Sequence, residues 1–324
     1  MRLLPALAAA LVCLGGWIGP AAAAGLDADA SKVCVKCHDA EDLPDMSRRA
    51  HAAAADPRAP TCVTCHGPSP THVNKPEGVK ERPHPDRLFR RTADTPISER
   101  NGACLTCHAI DSKRTLWAGS AHETSEVACT TCHRIHSNED KVQAKATQTD
   151  VCYACHKEQR TQLMKPSHHP IPEGKMTCSD CHNVHGSAGP SLVRRDSTND
   201  TCYTCHAEKR GPFVHEHEPV REDCATCHNP HGSVVASLLK ARAPILCQQC
   251  HTPHVAGDVG ALGGQRGVFP PAAPGQVAPA INGTTSGKNV INMWQGRACT
   301  NCHTQVHGSN NPSVTNPTPQ FLFR

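Results

Sequence analysis

The stretch TCYTCHAEKRGPFVHEHEPVREDCATCHNPHGS, from Thr201 to Ser233, decides how the rest of the chain is interpreted. It holds two copies of C-x-x-C-H, which begin at Cys202 and Cys224, and two further histidines, His217 and His231. In c-type haem attachment, the two thiols of this motif form thioethers with the porphyrin, and the adjacent imidazole binds the iron from one face. The two further histidines are candidates for the opposite face.

The motif occurs ten times in the 324 residues and uses twenty of the twenty-one cysteines. The predicted thioether cysteines are Cys34, Cys37, Cys62, Cys65, Cys104, Cys107, Cys129, Cys132, Cys152, Cys155, Cys178, Cys181, Cys202, Cys205, Cys224, Cys227, Cys247, Cys250, Cys299 and Cys302. The predicted proximal iron ligands are His38, His66, His108, His133, His156, His182, His206, His228, His251 and His303. Disulfides or zinc would not require a histidine after every cysteine pair. The sequence therefore predicts ten covalent c-type haems.

Thirteen histidines lie outside the motifs, and ten are needed if every iron has two imidazole ligands. The predicted distal ligands are His51, His72, His122, His136, His168, His185, His217, His231, His254 and His307. His168 is chosen because it shares an H-x-P-[VI] pattern with His217. His169 stays open as the alternative because it matches the S-x-H pattern that ends at His122.

A histidine three residues after a motif, such as His136, His185 or His231, is tethered to the proximal side of its own haem. Reaching the opposite face would require two intervening residues to wrap the edge of the porphyrin. We therefore expect these histidines to bind the iron of a neighbouring haem. The methionines do not recur with the haem motifs, so we expect bis-histidine, low-potential haems and no catalytic residue or enzymatic activity.

The motifs recur at a nearly constant interval in the middle of the chain. From Cys104 to Cys247 their starts are 25, 23, 26, 24, 22 and 23 residues apart, which indicates repeated units. Each unit contains two motifs, and CYACH at 152–156 and CYTCH at 202–206 show the duplication directly. The predicted segments are a signal peptide (1–24), an N-terminal dihaem segment with a basic link (25–95), repeated dihaem units (96–254), and a Gly/Pro-rich loop with the last haem motif (255–324).

The composition is too poor in large apolar residues for an ordinary core. Aromatic residues make up 3 % of the chain, so the flat haems are expected to take the place of the missing core. The fold class predicted is a multihaem cytochrome c, with short α-helices and loops wrapped around a linear array of ten haems and very little β-structure.

Residues 1–24 have the pattern of a secretory signal, with Arg2, an apolar run and a small-residue site near Ala24. An exported location is therefore expected. The formal net charge of +4 does not predict a nucleic-acid partner, because haem propionates would neutralise lysines and arginines and make the assembled protein negative.

The segments CHNPHGS (227–233), GPFVHEHEPV (211–220), LCQQCH (246–251) and ACTNCHTQVHGSNNPS (298–313) resemble the MtrA-type periplasmic decahaem cytochromes, which include the DmsE, MtoA and PioA kinds. The likeness covers nearly the whole mature chain. It implies a haem wire with bis-histidine ligation that, in several members, is inserted into an outer-membrane β-barrel porin of the MtrB type. It also implies a periplasmic location at the outer membrane, and exchange with periplasmic or inner-membrane cytochromes and an outer-surface multihaem cytochrome.

Three functions are consistent with the sequence. The first is an electron conduit between periplasm and exterior, which serves metal reduction or Fe(II) oxidation depending on the direction of flow. The second is a soluble periplasmic electron shuttle. The third, a multihaem oxidoreductase, requires an open iron position, and the spare histidines argue against one.

Overall fold

The structure is a computed structural model that describes residues 31–38, 50–52, 56, 58–92, 94–251, 261–262, 265–266, 299–301 and 303–310. The predicted signal peptide and nearly all of the Gly/Pro-rich loop lie outside these residues, as do Cys302 and His254. Within the described part, the chain forms short helices joined by loops, with two two-residue strands. The predicted fold class is confirmed.

The longest described helix has twelve residues. The α-helices are α1 (Cys62–His66), α2 (Pro70–Val73), α3 (Ile97–His108), α4 (Ala121–Thr124), α5 (Cys129–Cys132), α6 (Gln148–Tyr153), α7 (Lys157–Leu163), α8 (Cys178–Cys181), α9 (Thr198–Tyr203) and α10 (Glu218–Glu222). Short 3-10 helices span Cys34–Lys36, Ala50–Ala52, Pro190–Leu192, Ala207–Lys209, Cys224–Thr226, Ala236–Leu238, Cys247–Gln249 and Cys299–Asn301. The strands β1 (Ala261–Leu262) and β2 (Gln265–Arg266) pair antiparallel, with Ala261 opposite Arg266. No described helix is both long and apolar enough to cross a membrane.

The haem motifs adopt helical turns, and the Cys104 motif forms the last turn of α3. In the last motif, the His303 amide donates to the Cys299 carbonyl at 2.8 Å, and the same bond joins His206 to Cys202 at 2.9 Å. This turn places the residues at positions 1, 4 and 5 on one side, because neighbours three and four residues apart share a helix face. The two thiols and the imidazole of a motif can therefore reach one haem.

Side-chain caps begin several of these turns. Thr61 and Thr64 cap the start of α1 reciprocally, and Thr177 with Asp180 does the same for α8. Such reciprocal caps satisfy backbone amides that a helix of one turn otherwise leaves unpaired. The motifs are thus held by local hydrogen bonds, although each is too short to be stable as an isolated helix.

The chain divides into two units. The first comprises residues 1–88 together with 136–138, and the second comprises residues 89–135 and 139–324. In the first unit, residues 79–88 of the basic link (79–91) pack onto the second motif. The Arg87 side chain donates to the Cys65 carbonyl at 3.1 Å. The second unit includes both the repeats and the described residues of the C-terminal motif.

Buried amide side chains join the two motifs of a dihaem unit. Asn101, three residues before the Cys104 motif, accepts a hydrogen bond from the Cys129 amide at 2.8 Å. Asn199 accepts from the Cys224 amide at 2.6 Å and donates to the carbonyls of Val220 and Arg221. Both asparagines are buried. Since a buried amide must be hydrogen-bonded, these side chains set how the second motif lies against the first.

The described residues contain very little apolar core. Their buried hydrophobic residues are Trp117, Ala128 and Leu163, whereas several large apolar side chains remain exposed. The exposed set includes Val35, Ile110, Met164, Val214, Val234 and Ile245. Burial of apolar surface is the main stabilising contribution in folding. The polypeptide alone therefore lacks the buried apolar surface that stabilises an ordinary domain of this length.

We therefore expect the chain made without covalent haem attachment to be unfolded, because the cofactors supply the apolar surface. Circular dichroism during heating should show no cooperative transition for the haem-free chain and a cooperative one for the haem-loaded chain. A haem-free chain that unfolds cooperatively would contradict this expectation.

Candidate haem-binding sites

Eight motif histidines face a second histidine across a nearly constant distance in the described residues. The ring centroids are 6.0 to 6.4 Å apart in every pair. The pairs are His38 with His72, His66 with His136, His133 with His185, His156 with His122, His182 with His231, His206 with His169, His228 with His307, and His251 with His217.

This separation fits an iron atom between the rings. Two imidazole nitrogens bound to opposite sides of one metal at about 2 Å would place the ring centroids roughly 6.3 Å apart. The angle between the ring planes varies from 9° for His133 and His185 to 88° for His66 and His136, while the distance hardly changes. Direct packing of the rings would not hold one distance over such different angles. The described residues therefore fit bis-imidazole coordination.

The histidines that follow a motif closely face a motif histidine two motifs earlier. His136 faces His66, His185 faces His133, His231 faces His182, and His307 faces His228. None of these four pairs joins a histidine to its own motif, as the tether argument expected. Each candidate site therefore draws its ligands from two different repeats.

The preference for His168 over His169 is corrected by the structure. The His169 ring lies 6.4 Å from that of His206, while His168 Nε2 lies 3.0 Å from the Glu173 carboxylate. This hydrogen bond raises the pKa of His168 and favours its protonated form, which cannot bind iron. His169 is instead held by the Pro230 carbonyl at 2.8 Å. The S-x-H pattern, which favoured His169, thus agrees with the structure.

Two predicted distal ligands are not among the eight pairs above. His51 lies in the 3-10 helix Ala50–Ala52 of the first unit, and His254 lies outside the described residues. Their roles as ligands remain predictions from the sequence.

Backbone carbonyls orient many of the paired imidazoles. The Nδ1 atoms of His72, His122, His169 and His217 donate to the carbonyls of Pro83, Val184, Pro230 and Val306 at 2.7 to 2.8 Å. A carbonyl can only accept, so Nδ1 carries the proton and Nε2 keeps its lone pair. Each ring is thereby fixed in the tautomer that binds a metal through Nε2.

These bonds also join neighbouring sites. Val184, Pro230 and Val306 each directly precede a histidine of another pair, namely His185, His231 and His307. A single backbone segment therefore positions the distal imidazoles of two consecutive motifs, such as those of His133 and His156.

Burial keeps several distal histidines neutral. Burial and the nearby His133 together lower the pKa of His185 to about 4. Burial likewise lowers the pKa of His136, His231 and His307. Because the metal ligand is the neutral imidazole, this environment favours the iron-binding form at neutral pH.

The first cysteines of the two motifs in a dihaem unit lie in contact. A hydrogen bond with the Cys104 thiol lowers the pKa of Cys129 to about 7. The Cys152 thiol does the same for Cys178, and the Cys202 thiol for Cys224. Cys34 with Cys62 and Cys247 with Cys299 form corresponding pairs. Because a thioether is attached to the porphyrin edge, two haems held at such a pair would be close neighbours.

The second cysteines link one dihaem unit to the next. Burial raises the pKa of Cys132, and the nearby Cys155 thiol raises it further. Cys181 is affected in the same way by Cys205, and Cys227 by Cys250. With the contacts between first cysteines, these form an unbroken series of neighbouring motifs in the second unit, from Cys104 to Cys299.

A buried guanidinium also fits a haem. Arg100 is 6 % exposed and donates to the Arg90 carbonyl at 3.1 Å, but its Nε atom has no hydrogen-bond partner among the described residues. A buried cation normally requires an anion. A haem propionate is an acceptor of the required charge.

The zinc and disulfide alternatives find no support in the described residues. The nineteen described motif cysteines are not in disulfides. No group of three or more His, Cys, Asp or Glu side chains that could hold a bare metal ion occurs in this part of the chain.

Two supporting features were missed in the sequence. Gly186 and Gly232, in the repeated H-G-S, have positive φ, and a Cβ there would lie 1.9 Å and 2.0 Å from the carbonyl oxygens of Leu116 and Gln162. Glycine is required for this close approach next to a distal histidine.

Left-handed turns at Ser191 and Ser237 also present their carbonyls to Nδ1 of His182 and His228. The repeated Ser-Leu, nine residues after each of these motif histidines, was the available signal.

Replacing His169 by alanine should remove one distal ligand. We expect His169→Ala to keep its covalent haems but to convert one of them to a high-spin form that binds carbon monoxide. Electron paramagnetic resonance and carbon monoxide difference spectra would measure this change. The adjacent His168→Ala is the matched control and should leave the spectra unchanged. The reverse result would restore His168 as the ligand.

Family comparisons agree with this geometry. The model "Doubled CXXCH motif" matches residues 168–211 and 217–256. The model "Cytochrome c-type protein NrfB-like" matches residues 62–148. Together these ranges contain seven of the ten motifs.

Two relatives extend the comparison. The chain is 43 % identical over 288 residues to "Multiheme cytochrome MtrA" of Shewanella baltica, a match that covers 86 % of this chain and 78 % of the relative. It is 29 % identical over 154 residues to "Cytochrome c-type protein NrfB" of Haemophilus influenzae, which covers 41 % of this chain and 67 % of that protein. The chain therefore belongs to the MtrA-type multihaem cytochromes c and is an electron-transfer protein with covalently attached haems.

Proposed function

We propose that this cytochrome carries ten bis-histidine haems and conducts electrons between the periplasm and the cell exterior. In this proposal it lies in the periplasm at the outer membrane, inserted in a β-barrel porin of the MtrB type. When bound, the haems supply one-electron Fe(III)/Fe(II) chemistry. The polypeptide sets the position, ligation and electrostatic surroundings of each.

The observation that carries the proposal is the series of thiol neighbours in the second unit. Hydrogen-bonded first cysteines alternate with second cysteines that are close enough to influence each other electrostatically, so consecutive motifs remain neighbours from Cys104 to Cys299. Imidazole pairs on both sides of an iron would leave no open position for substrate. Continuous neighbours without an open site favour electron transfer along the series over catalysis.

The proposal of a barrel partner is supported by the cost of placing irregular backbone in a lipid bilayer. The described backbone is largely irregular, and loops of this kind leave amides and carbonyls that cannot be satisfied in hydrocarbon. The chain could therefore cross a bilayer only inside a closed protein wall. A file of ten haems could exceed the roughly 40–45 Å of a full bilayer. Periplasmic or inner-membrane cytochromes would exchange electrons at one end, and an outer-surface multihaem cytochrome at the other.

The last motif requires a separate source for its second ligand. His303 is not among the eight pairs above, and the backbone beside its motif indicates a candidate. His215 pairs through its backbone with Ser309, with both N–O distances at 2.9 Å. Ser167 makes the corresponding pairing with Ser233 one repeat earlier. A histidine thus replaces a serine where the chain lies beside the last motif, and we assign His215 to the iron at His303.

We expect His215→Ser, which restores the residue of the preceding repeat, to keep ten haems while one becomes high-spin and binds carbon monoxide. Pyridine haemochrome analysis and intact mass would count the haems, and difference spectra would detect the open site. The matched control is His168→Ser, which should bind no carbon monoxide. An unaltered His215→Ser protein would return the assignment to His254.

The conduit predicts co-purification with a β-barrel protein after detergent extraction, and electron transfer across liposomes that contain the complex. A reduced viologen dye enclosed in the liposomes should be oxidised by external ferric citrate. Liposomes with the barrel alone are the control. Complete release of the cytochrome by osmotic shock, without a barrel partner, would instead support the periplasmic shuttle.

A further inference from the structure

Among the second motifs of the dihaem units, one histidine is hydrogen-bonded to a carboxylate where its counterparts are hydrogen-bonded to a backbone carbonyl. His133 Nδ1 donates to Asp140 Oδ2 at 2.7 Å, and Asp140 Oδ1 accepts from the Arg134 amide at 3.2 Å. The Asp140 side chain is only 2 % exposed. Two hydrogen bonds and burial therefore hold this carboxylate against the imidazole.

The corresponding motif histidines show the contrast. His66 donates to the Arg87 carbonyl, His182 to the Ser191 carbonyl and His228 to the Ser237 carbonyl, at 2.8 to 3.0 Å. Within residues 61–251, the second motifs of the dihaem units end at His66, His133, His182 and His228. Only the second, His133, has a charged acceptor in this set.

A carboxylate acceptor changes the electronic character of the imidazole. A stronger acceptor at Nδ1 makes the ring a more basic ligand, as outer-shell carboxylates do for other metal-bound histidines. Low exposure leaves the negative charge weakly screened by solvent. Both effects favour Fe(III), the more positive oxidation state, over Fe(II).

We propose that Asp140 is a positioning residue that lowers the reduction potential of the haem attached at Cys129 and Cys132. This inference rests on the bis-histidine ligation of the proposed function, which His133 and His185 would provide at this haem. It does not depend on the outer-membrane location. The paired rings are near-parallel, with centroids 6.1 Å apart.

The adjacent motif has a cationic neighbour instead. Arg114 NH2 lies 3.1 Å from Nδ1 of His108 and also pairs with the Asp111 carboxylate. This ring therefore lies beside an ion pair, whose opposite charges largely cancel, and not beside a carboxylate that accepts from Nδ1. Because Cys104 and Cys129 are in contact, the two haems are direct neighbours in the series. Lowering the potential at Cys129 and Cys132 would therefore change the driving force of the electron-transfer step between these two haems.

The test compares Asp140→Asn with wild type in the fully haem-loaded protein. Asparagine keeps the shape and an acceptor oxygen but removes the charge. In a spectroscopic redox titration, we expect about one tenth of the total Soret change to move to higher potential, because one haem of ten is affected. Asp196→Asn removes an exposed charge and serves as the control, with an unchanged titration. Asp140→Glu, which keeps a carboxylate, should restore the wild-type curve.

A second measurement uses the wild-type protein alone. The near-infrared charge-transfer band of ferric bis-histidine haem moves to higher energy as one imidazole gains imidazolate character. In the wild type, we expect the band intensity that one haem contributes to lie on the high-energy side. This component should be absent from the spectrum of Asp140→Asn. A wild-type band without this component, or an Asp140→Asn titration that overlays the wild type, would overturn the proposal. Either result would leave the conduit proposal intact, because that proposal depends on ligation and location.

Discussion

Pairs of imidazoles held about 6 Å apart by separate parts of the chain are the constraint on which this structure depends. The two rings of a pair come from segments that have little apolar surface of their own to pack together. An iron between them would connect those segments directly, and the porphyrin would cover the exposed apolar side chains around it. In the proposed bis-histidine arrangement, coordination and core formation would be the same event.

The interlaced pattern of ligands makes each dihaem unit depend on the next. His185 and His231 close sites that begin in the preceding unit, and the carbonyls just before them orient His122 and His169. A repeat could not be removed without opening sites in its neighbours. This arrangement gives the series of cofactors a fixed order, which electron transfer between close neighbours requires.

Much of the site could be predicted because haem attachment is local chemistry. The Cys-Cys-His spacing is set by one helical turn, and the tether after His182 or His228 excludes binding to the same haem. The choice between His168 and His169 could not be made this way. It depends on Glu173, which lies five residues after His168, and on the Pro230 carbonyl, which meets His169 only after the chain has folded back on itself.

The sequence by itself determined the cofactor, its attachment points, the family and the absence of a conventional core, because covalent motifs and composition are readable residue by residue. Tertiary structure alone decided which histidines face each other, and it revealed Asp140 as the carboxylate beside His133. The physical reason is that axial partners lie in different repeats. Their pairing is therefore set by backbone hydrogen bonds and turns between distant segments, which sequence spacing does not encode.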